Sequence, residues 1–246
     1  MVCGRLRRPH TIRKNILLMH RPSTIPRHRA ISPQQKSERR EQILAAAGRL
    51  FAAADFDSIS MLDVAREAGL AKGTLYLYFQ TKEQLFLALL ADGLAGWFAH
   101  LEQALQAAPT PLPALAFTRL LEESLRERLQ ALRLLGILHA VLERNLELQA
   151  ALDFKLSLTA GIQHTGSLIE QHLTFLQPGQ GALLLRRMYA ILVGLQNLAS
   201  PAPSVRAALQ QPGLELWQVE LLPEFTAVLN LYLYGQVTLY RRSIRE

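Results

Sequence analysis

The chain has 246 residues, half of them apolar, which is enough for a sizeable core and excludes a wholly disordered protein. Leu and Ala dominate the apolar half, with Gln, Glu and Arg between them, so the expected fold class is all-α. Cys3 is the single cysteine, which excludes an internal disulfide and a Cys-x-x-Cys zinc pair and suits a reducing, cytoplasmic setting.

The net charge of +7 is unevenly placed: residues 1–36 carry +9 with no Asp or Glu, and the remainder carries −2. This arm holds Pro9, Pro22, Pro26 and Pro33 without a helical period, and it reads as disordered in isolation. It can attract phosphates without sequence preference. A targeting segment fits less well, because no good amphipathic helix is present. A passive tail, or a start-site artefact with a natural start at Met19 or later, is the favoured reading.

Helical periodicity begins at Ser37, where Ile43, Leu44, Ala47, Leu50, Phe51 and Ala54 share one face. Asp55 to Ser58 break it. Ser60, with Asp63 three residues on, opens a second helix like a capping box, and Gly69 suits the positive φ that stops it. A third short helix covers Lys72 to Phe79. Thr81 caps a fourth, with Gln84 at the box position and Leu85, Phe86, Leu89 and Leu90 as its stripe. The later helices are expected at 82–107, 113–129, 131–147, 149–176, 180–199 and 219–241, with a loop and a short helix between 200 and 219. The most apolar stretch, Ala182 to Leu195, contains Arg186 and Arg187 and reads as a buried helix rather than a membrane span.

Two short helices joined by Ala68-Gly69-Leu70-Ala71 form a helix-turn-helix pattern. Ala65 is small enough for a tight crossing, and Leu70, Leu75 and Phe79 can lock the second helix down. Its outward face then carries Lys72, Gly73, Thr74, Tyr76, Leu77 and Tyr78, which combine hydroxyls and a positive charge with close backbone approach, as DNA contact requires. From Ser37 to Phe86, however, six Lys/Arg face seven Asp/Glu, so the module has no basic excess. Modest affinity per monomer and dependence on pairing are expected.

From Gln42 to Leu90 the chain resembles the TetR/AcrR family of transcriptional regulators. The resemblance rests on Leu50-Phe51, on Met61-Leu62-Asp63-Val64-Ala65, on Ala68-Gly69-Leu70, and above all on Lys72 to Phe79 followed by Thr81-Lys82-Glu83. It implies that Thr74 and Tyr78 hold phosphates, with Tyr76 near phosphate or base edges. Lys72, Gly73 and Leu77 would lie nearest the bases, Leu77 against a thymine methyl. Lys82 would join the free N–H groups of its helix around one phosphate. Ala71 stands where relatives often place a capping Ser, which costs about a kcal/mol of local cap.

The resemblance further implies three regions: the arm at 1–36, a DNA-binding domain at 37–87, and a helical ligand-binding and dimerisation domain at 88–246. The last two long helices would make a four-helix homodimer interface. Met188, Ile191, Leu192 and Leu195, then Phe225, Val228, Leu229 and Tyr232, follow helical periods that support it. Trp97, Phe98, His100, His139, Arg144, His164 and Tyr189 are candidate contacts for a small lipophilic effector. No metal site, cofactor or catalytic motif is expected. The expectation is a repressor that binds a palindromic operator in double-stranded DNA as a dimer and is released by its effector, without a membrane partner. An effector-independent helix-turn-helix or architectural DNA-binding protein is the alternative.

Overall fold

The computed structural model describes residues 32–144 and 146–244, which form ten α-helices and no strand. The three-helix head comprises α1 (Pro33–Ala53), α2 (Met61–Glu67) and α3 (Lys72–Tyr76). The second domain is built from α4 (Lys82–Ala107), α5 (Ala114–Arg126), α6 (Leu129–Ile137), α7 (Leu148–His172), α8 (Gln180–Ala199), α9 (Pro203–Ala208) and α10 (Leu221–Ser243).

The first helix starts at Pro33, not Ser37, and this corrects the boundary of the arm. Ser32 Oγ accepts from the Gln35 N–H at 3.2 Å, and Gln35 Oε1 accepts from the Ser32 N–H at 3.0 Å. Pro33, preset for the first helical position, completes the start. The rest of the arm, with Cys3 and Met19, lies outside the described residues.

Inside the head, Ile43, Leu44, Ala47 and Phe51 are buried on α1 as the periodicity requires. Phe51 and Phe56 meet Phe86 edge-on at 5.5 and 5.1 Å, joining α1, the 3-10 turn Phe56–Ser58 and α4. Thus α4 begins in the head and continues through Leu94, Phe98, Leu101 and Leu105 along the part of the core that lies in the second domain. It is also the one helix among the described residues long and apolar enough to cross a membrane, whereas the sequence points to 182–195 as the most apolar stretch. Its buried apolar residues belong to one continuous core that runs from the head into the second domain.

Several second-domain helices are shorter than expected. The stretch read as 131–147 is α6 followed by a π-helical turn, Leu138–Leu142, in which the Glu143 N–H reaches Leu138 O at 2.9 Å and both leucines stay buried. α7 stops at His172 because Leu173 and Leu176 turn into the core. Contact between α7 and α8 is backbone to backbone. A Cβ on Gly166 would lie 2.5 Å from Ala182 N, and one on Gly181 would lie 2.1 Å from Gly166 O. Glu170 then accepts the unpaired Gly181 N–H at 2.7 Å, in the first turn of α8.

Candidate nucleic-acid interface and core cavity

The turn before α3 is built as its residues dictate. Ser60 and Asp63 form a reciprocal capping box at the start of α2. Gly69 adopts φ +66°, and the Leu70 N–H returns to Ala65 O at 2.8 Å, with Ala65 fully buried at the crossing. Leu75 and Phe79 are buried beneath α3, and Leu70 packs against the same core.

The opposite side of α3 faces outward. Lys72 and Gly73 are exposed, Tyr76 and Leu77 are 40% and 78% exposed, and Thr74 and Tyr78 are half-buried. A Cβ on Gly73 would meet nothing within 4 Å, so that side of the helix is open to a close neighbour. Lys72 Nζ lies 5.8 Å from the Tyr76 ring, four residues on, which gathers an ammonium and a phenol on one face of the helix. The α3 cap residue, Ala71, makes no side-chain bond.

Lys82 has a different role from the one its position implies. Its ammonium donates to Phe56 O at 2.8 Å and Ile59 O at 3.0 Å, and sits 3.9 Å from the Phe56 ring centre. It pins the turn between α1 and α2 onto α4, so here the ammonium is engaged by the chain's own carbonyls. Nor does Gln84 close the box on Thr81: its Oε1 accepts from the Gln80 N–H at 3.0 Å instead.

The acidic residues of the head are largely engaged. Glu67 pairs with Arg49 at 2.6 Å, and Asp55 pairs with Arg133 of α6 at 3.0 Å. Asp63 accepts the Ser60 hydroxyl and N–H, and these bonds hold its carboxyl below the usual range. With those charges offset internally, the head can present Lys72 outward despite lacking a basic excess.

A second feature lies in the core of the larger domain. α4, α5, α6, α7, α8 and α10 surround a cavity of about 50 Å³. Three of the seven predicted effector residues line it: Trp97, Phe98 and Tyr189. Trp97 Nε1 donates to Ser124 Oγ at 3.0 Å. The Tyr189 hydroxyl meets His139 Nε2 at 2.5 Å, and His139 Nδ1 meets Glu143 Oε2 at 2.8 Å. Burial opposes ionisation of Glu143, but its bonds to Lys155 and His139 prevail and hold its carboxyl below the usual range.

The other four candidates do not line this cavity. His139 stands behind Tyr189 rather than in the wall. His100, Arg144 and His164 are exposed, His164 only 3.7 Å from Glu102. A helical period places such residues on a helix but does not select the face that turns inward.

The predicted dimer contacts divide similarly. Met188, Leu192 and Phe225 line the cavity, and Leu229 is fully buried, so these four belong to the chain's own core. Ile191, Leu195, Val228 and Tyr232 are half-buried. Leu198, which continues the Met188–Leu195 period, is exposed on α8, and so are three apolar positions outside the predicted set: Leu183 on α8, with Leu231 and Tyr234, each 74% exposed, on α10.

Sequence reasoning also missed two arginines in the Leu-rich run around α6. Arg128 lines the cavity. Arg133 reaches back to the head, donating to Phe51 O at 2.8 Å and Ala54 O at 3.3 Å, with its guanidinium 4.4 Å from the Phe51 ring centre. The available signal was a charged residue among leucines at positions where the helix has little solvent face.

Comparison with known proteins gives two family matches. Residues 43–89 match "Bacterial regulatory proteins, tetR family", and residues 91–238 match "Tetracyclin repressor-like, C-terminal domain". The transcriptional regulator RutR of Escherichia coli K12 is 34% identical over 195 residues, covering 75% of this chain and 82% of its own. The transcriptional repressor KstR2 of Mycolicibacterium smegmatis is 34% identical over 84 residues. That match spans 34% of this chain and only 41% of KstR2. Among solved structures, the TetR family repressor AlkX of Dietzia sp. aligns with a TM-score of 0.49 at 19% identity, over 80% of this chain and 95% of its own. With both domains matched and RutR similar across most of its length, the chain belongs to the TetR family of transcriptional regulators.

Proposed function

We propose that this regulator is a repressor that binds a two-fold operator as a homodimer and releases it when a small lipophilic molecule enters the core cavity. The observation that carries the proposal is the continuity of α4. Its first turns hold the head through Leu85, Phe86 and Lys82, and its middle supplies Leu94, Trp97 and Phe98 to the cavity wall. The cavity, at about 50 Å³, is smaller than the several hundred Å³ usual for ligand sites, so an effector must spread its walls. Spreading displaces α4, and also α6, which carries Arg133 against the end of α1. Filled and empty states then differ in where the head sits, and effector binding shifts the population between them.

On the DNA side, Lys72, Gly73, Thr74, Tyr76, Leu77 and Tyr78 form the contact face: hydroxyls and the ammonium for phosphates, the glycine backbone and Leu77 for base edges. A helix this short reads few base pairs, and a second copy supplies the other half-site about one helical turn away. The face available for pairing is formed by Leu183, Ala190, Gly194 and Leu198 on α8 with Leu231 and Tyr234 on α10. The small residues at its centre allow close helix approach.

A second reading, DNA binding without an effector, is favoured by the same small cavity, which an ordinary packing void would resemble. The two are separated by selecting bound fragments from a random-sequence pool, then following their mobility shift as lipophilic compounds are added. The proposal expects palindromic sites, two chains per site, and release by at least one compound whose binding depends on the cavity wall. Half-site binding by single chains overturns the dimer. Compounds that fill the cavity and leave the DNA bound overturn release.

A further inference from the structure

Trp97, Tyr189 and Arg128 are the cavity residues whose side chains carry a hydrogen-bonding N–H or O–H group. The polar ends of the first two are already used, the indole N–H by Ser124 and the phenol by His139. Arg128, at the N-cap of α6, is different. The residue is half-buried, but its Nε is buried and has no hydrogen-bond partner among the described residues, and no carboxylate there forms an ion pair with it. A buried donor left unpaired is costly, and one on a charged group more so, which makes this Nε–H a receptor for an acceptor supplied from outside.

We infer that the cavity binds a small amphipathic monoanion, its carboxylate held by Arg128 and its apolar body among the leucines. This inference rests on the effector reading above. The guanidinium fork matches the two oxygens of a carboxylate, and bonds of this kind are about twice as strong as neutral ones. Arg128 is the one cation in the wall, so a single negative charge is matched and a dianionic phosphate is not. The remaining wall is aliphatic and aromatic, including Leu121, Leu132, Ile162 and Phe225, which favours an unbranched or aromatic body without further polar groups.

The test is calorimetric titration of the full chain with straight-chain alkanoates of four to ten carbons and with benzoate, each paired with the alcohol of the same skeleton. At least one carboxylate should bind tenfold or more tightly than its alcohol. Arg128→Met should erase that preference while leaving alcohol affinity within about threefold, and Arg128→Lys should retain part of it. Melting curves of both variants check folding, and Arg128→Lys serves alone if Arg128→Met is unstable. Equal affinity for acid and alcohol, a preference that survives Arg128→Met, or no binding by any member overturns the inference. Mobility shifts with the same compounds keep it distinct from the proposed function. Alcohols that bind and release DNA as well as acids do defeat the carboxylate inference alone. Carboxylates held by Arg128 that leave DNA bound defeat the release mechanism alone.

Discussion

Replacing Arg133 with Met tests the link between cavity and head. The arginine donates a 2.8 Å bond and a longer 3.3 Å bond to carbonyls at the end of α1, where the helix leaves them without intrahelical partners. It also lies over the Phe51 ring and pairs with Asp55. The arginine side chain is 32% exposed, so the shorter bond counts at the low end for a charged donor, about 1.5 kcal/mol. The ring contact adds about 0.5–1 kcal/mol. The Asp55 side chain is 89% exposed, so the ion pair itself contributes at most about 0.5 kcal/mol. Arg133→Met should therefore cost roughly 2 kcal/mol in urea denaturation followed by circular dichroism, or about 4–8 °C in Tm. Asp55→Ala should cost under about 0.5 kcal/mol. The same variant should need more of the best-binding carboxylate to release DNA, because α6 no longer grips α1. If Arg133→Met matches wild type in stability and release, or if Asp55→Ala costs as much, the coupling argument is wrong.

Other residues give independent tests. Tyr76→Ala and Lys72→Ala should each weaken operator binding tenfold or more in mobility shifts, with Tm nearly unchanged because both side chains face outward. Lys82→Met should do the reverse in kind, costing about 2 kcal/mol of stability through two lost charge-assisted bonds, with DNA affinity falling only as the head unfolds. Leu231→Asp should leave the chain folded but monomeric in sedimentation velocity, since a charge there meets water in one chain and an apolar partner in two. The Ser60–Asp63 cap predicts an acid effect. Asp63 is held below its ordinary range by Ser60, so its contribution is complete above the unfolded carboxyl value near 4 and is lost as pH falls through the folded value. Asp63→Asn should flatten that part of the urea-midpoint profile, and an unchanged acid limb would show that the cap contributes nothing.

The head was legible because its determinants are local. Ser60 and Asp63, Gly69, and Leu75 with Phe79 act across a few residues, and each occupies the place its chemistry demands. Ser32 and Gln35 form an equally local capping box, but they lie in a Pro- and Arg-rich stretch that was read as a tail. The internal bonds of Lys82 escape the sequence for a different reason. A motif places the residue at a helix start, whereas its partners, Phe56 O and Ile59 O, lie 26 and 23 residues earlier and are brought there by the fold. The same is true of Arg133, whose contacts reach back about 80 residues.

The second domain shows why periodicity finds helices without choosing between their faces. On α8, one stripe contains Leu184, Leu185, Met188 and Leu192, all buried in the chain's own core. The other contains Leu183, Ala190, Gly194 and Leu198, all exposed. Hydrophobic patterning selects the first because it is the more apolar, but an interface that also meets water as a lone chain must hold fewer large apolar side chains. α10 repeats the arrangement, with Phe225 and Leu229 within and Leu231 and Tyr234 without. In a helical regulator that pairs through its outer helices, the weaker stripe is therefore the one to assign to the partner, and the stronger one to the chain's own core.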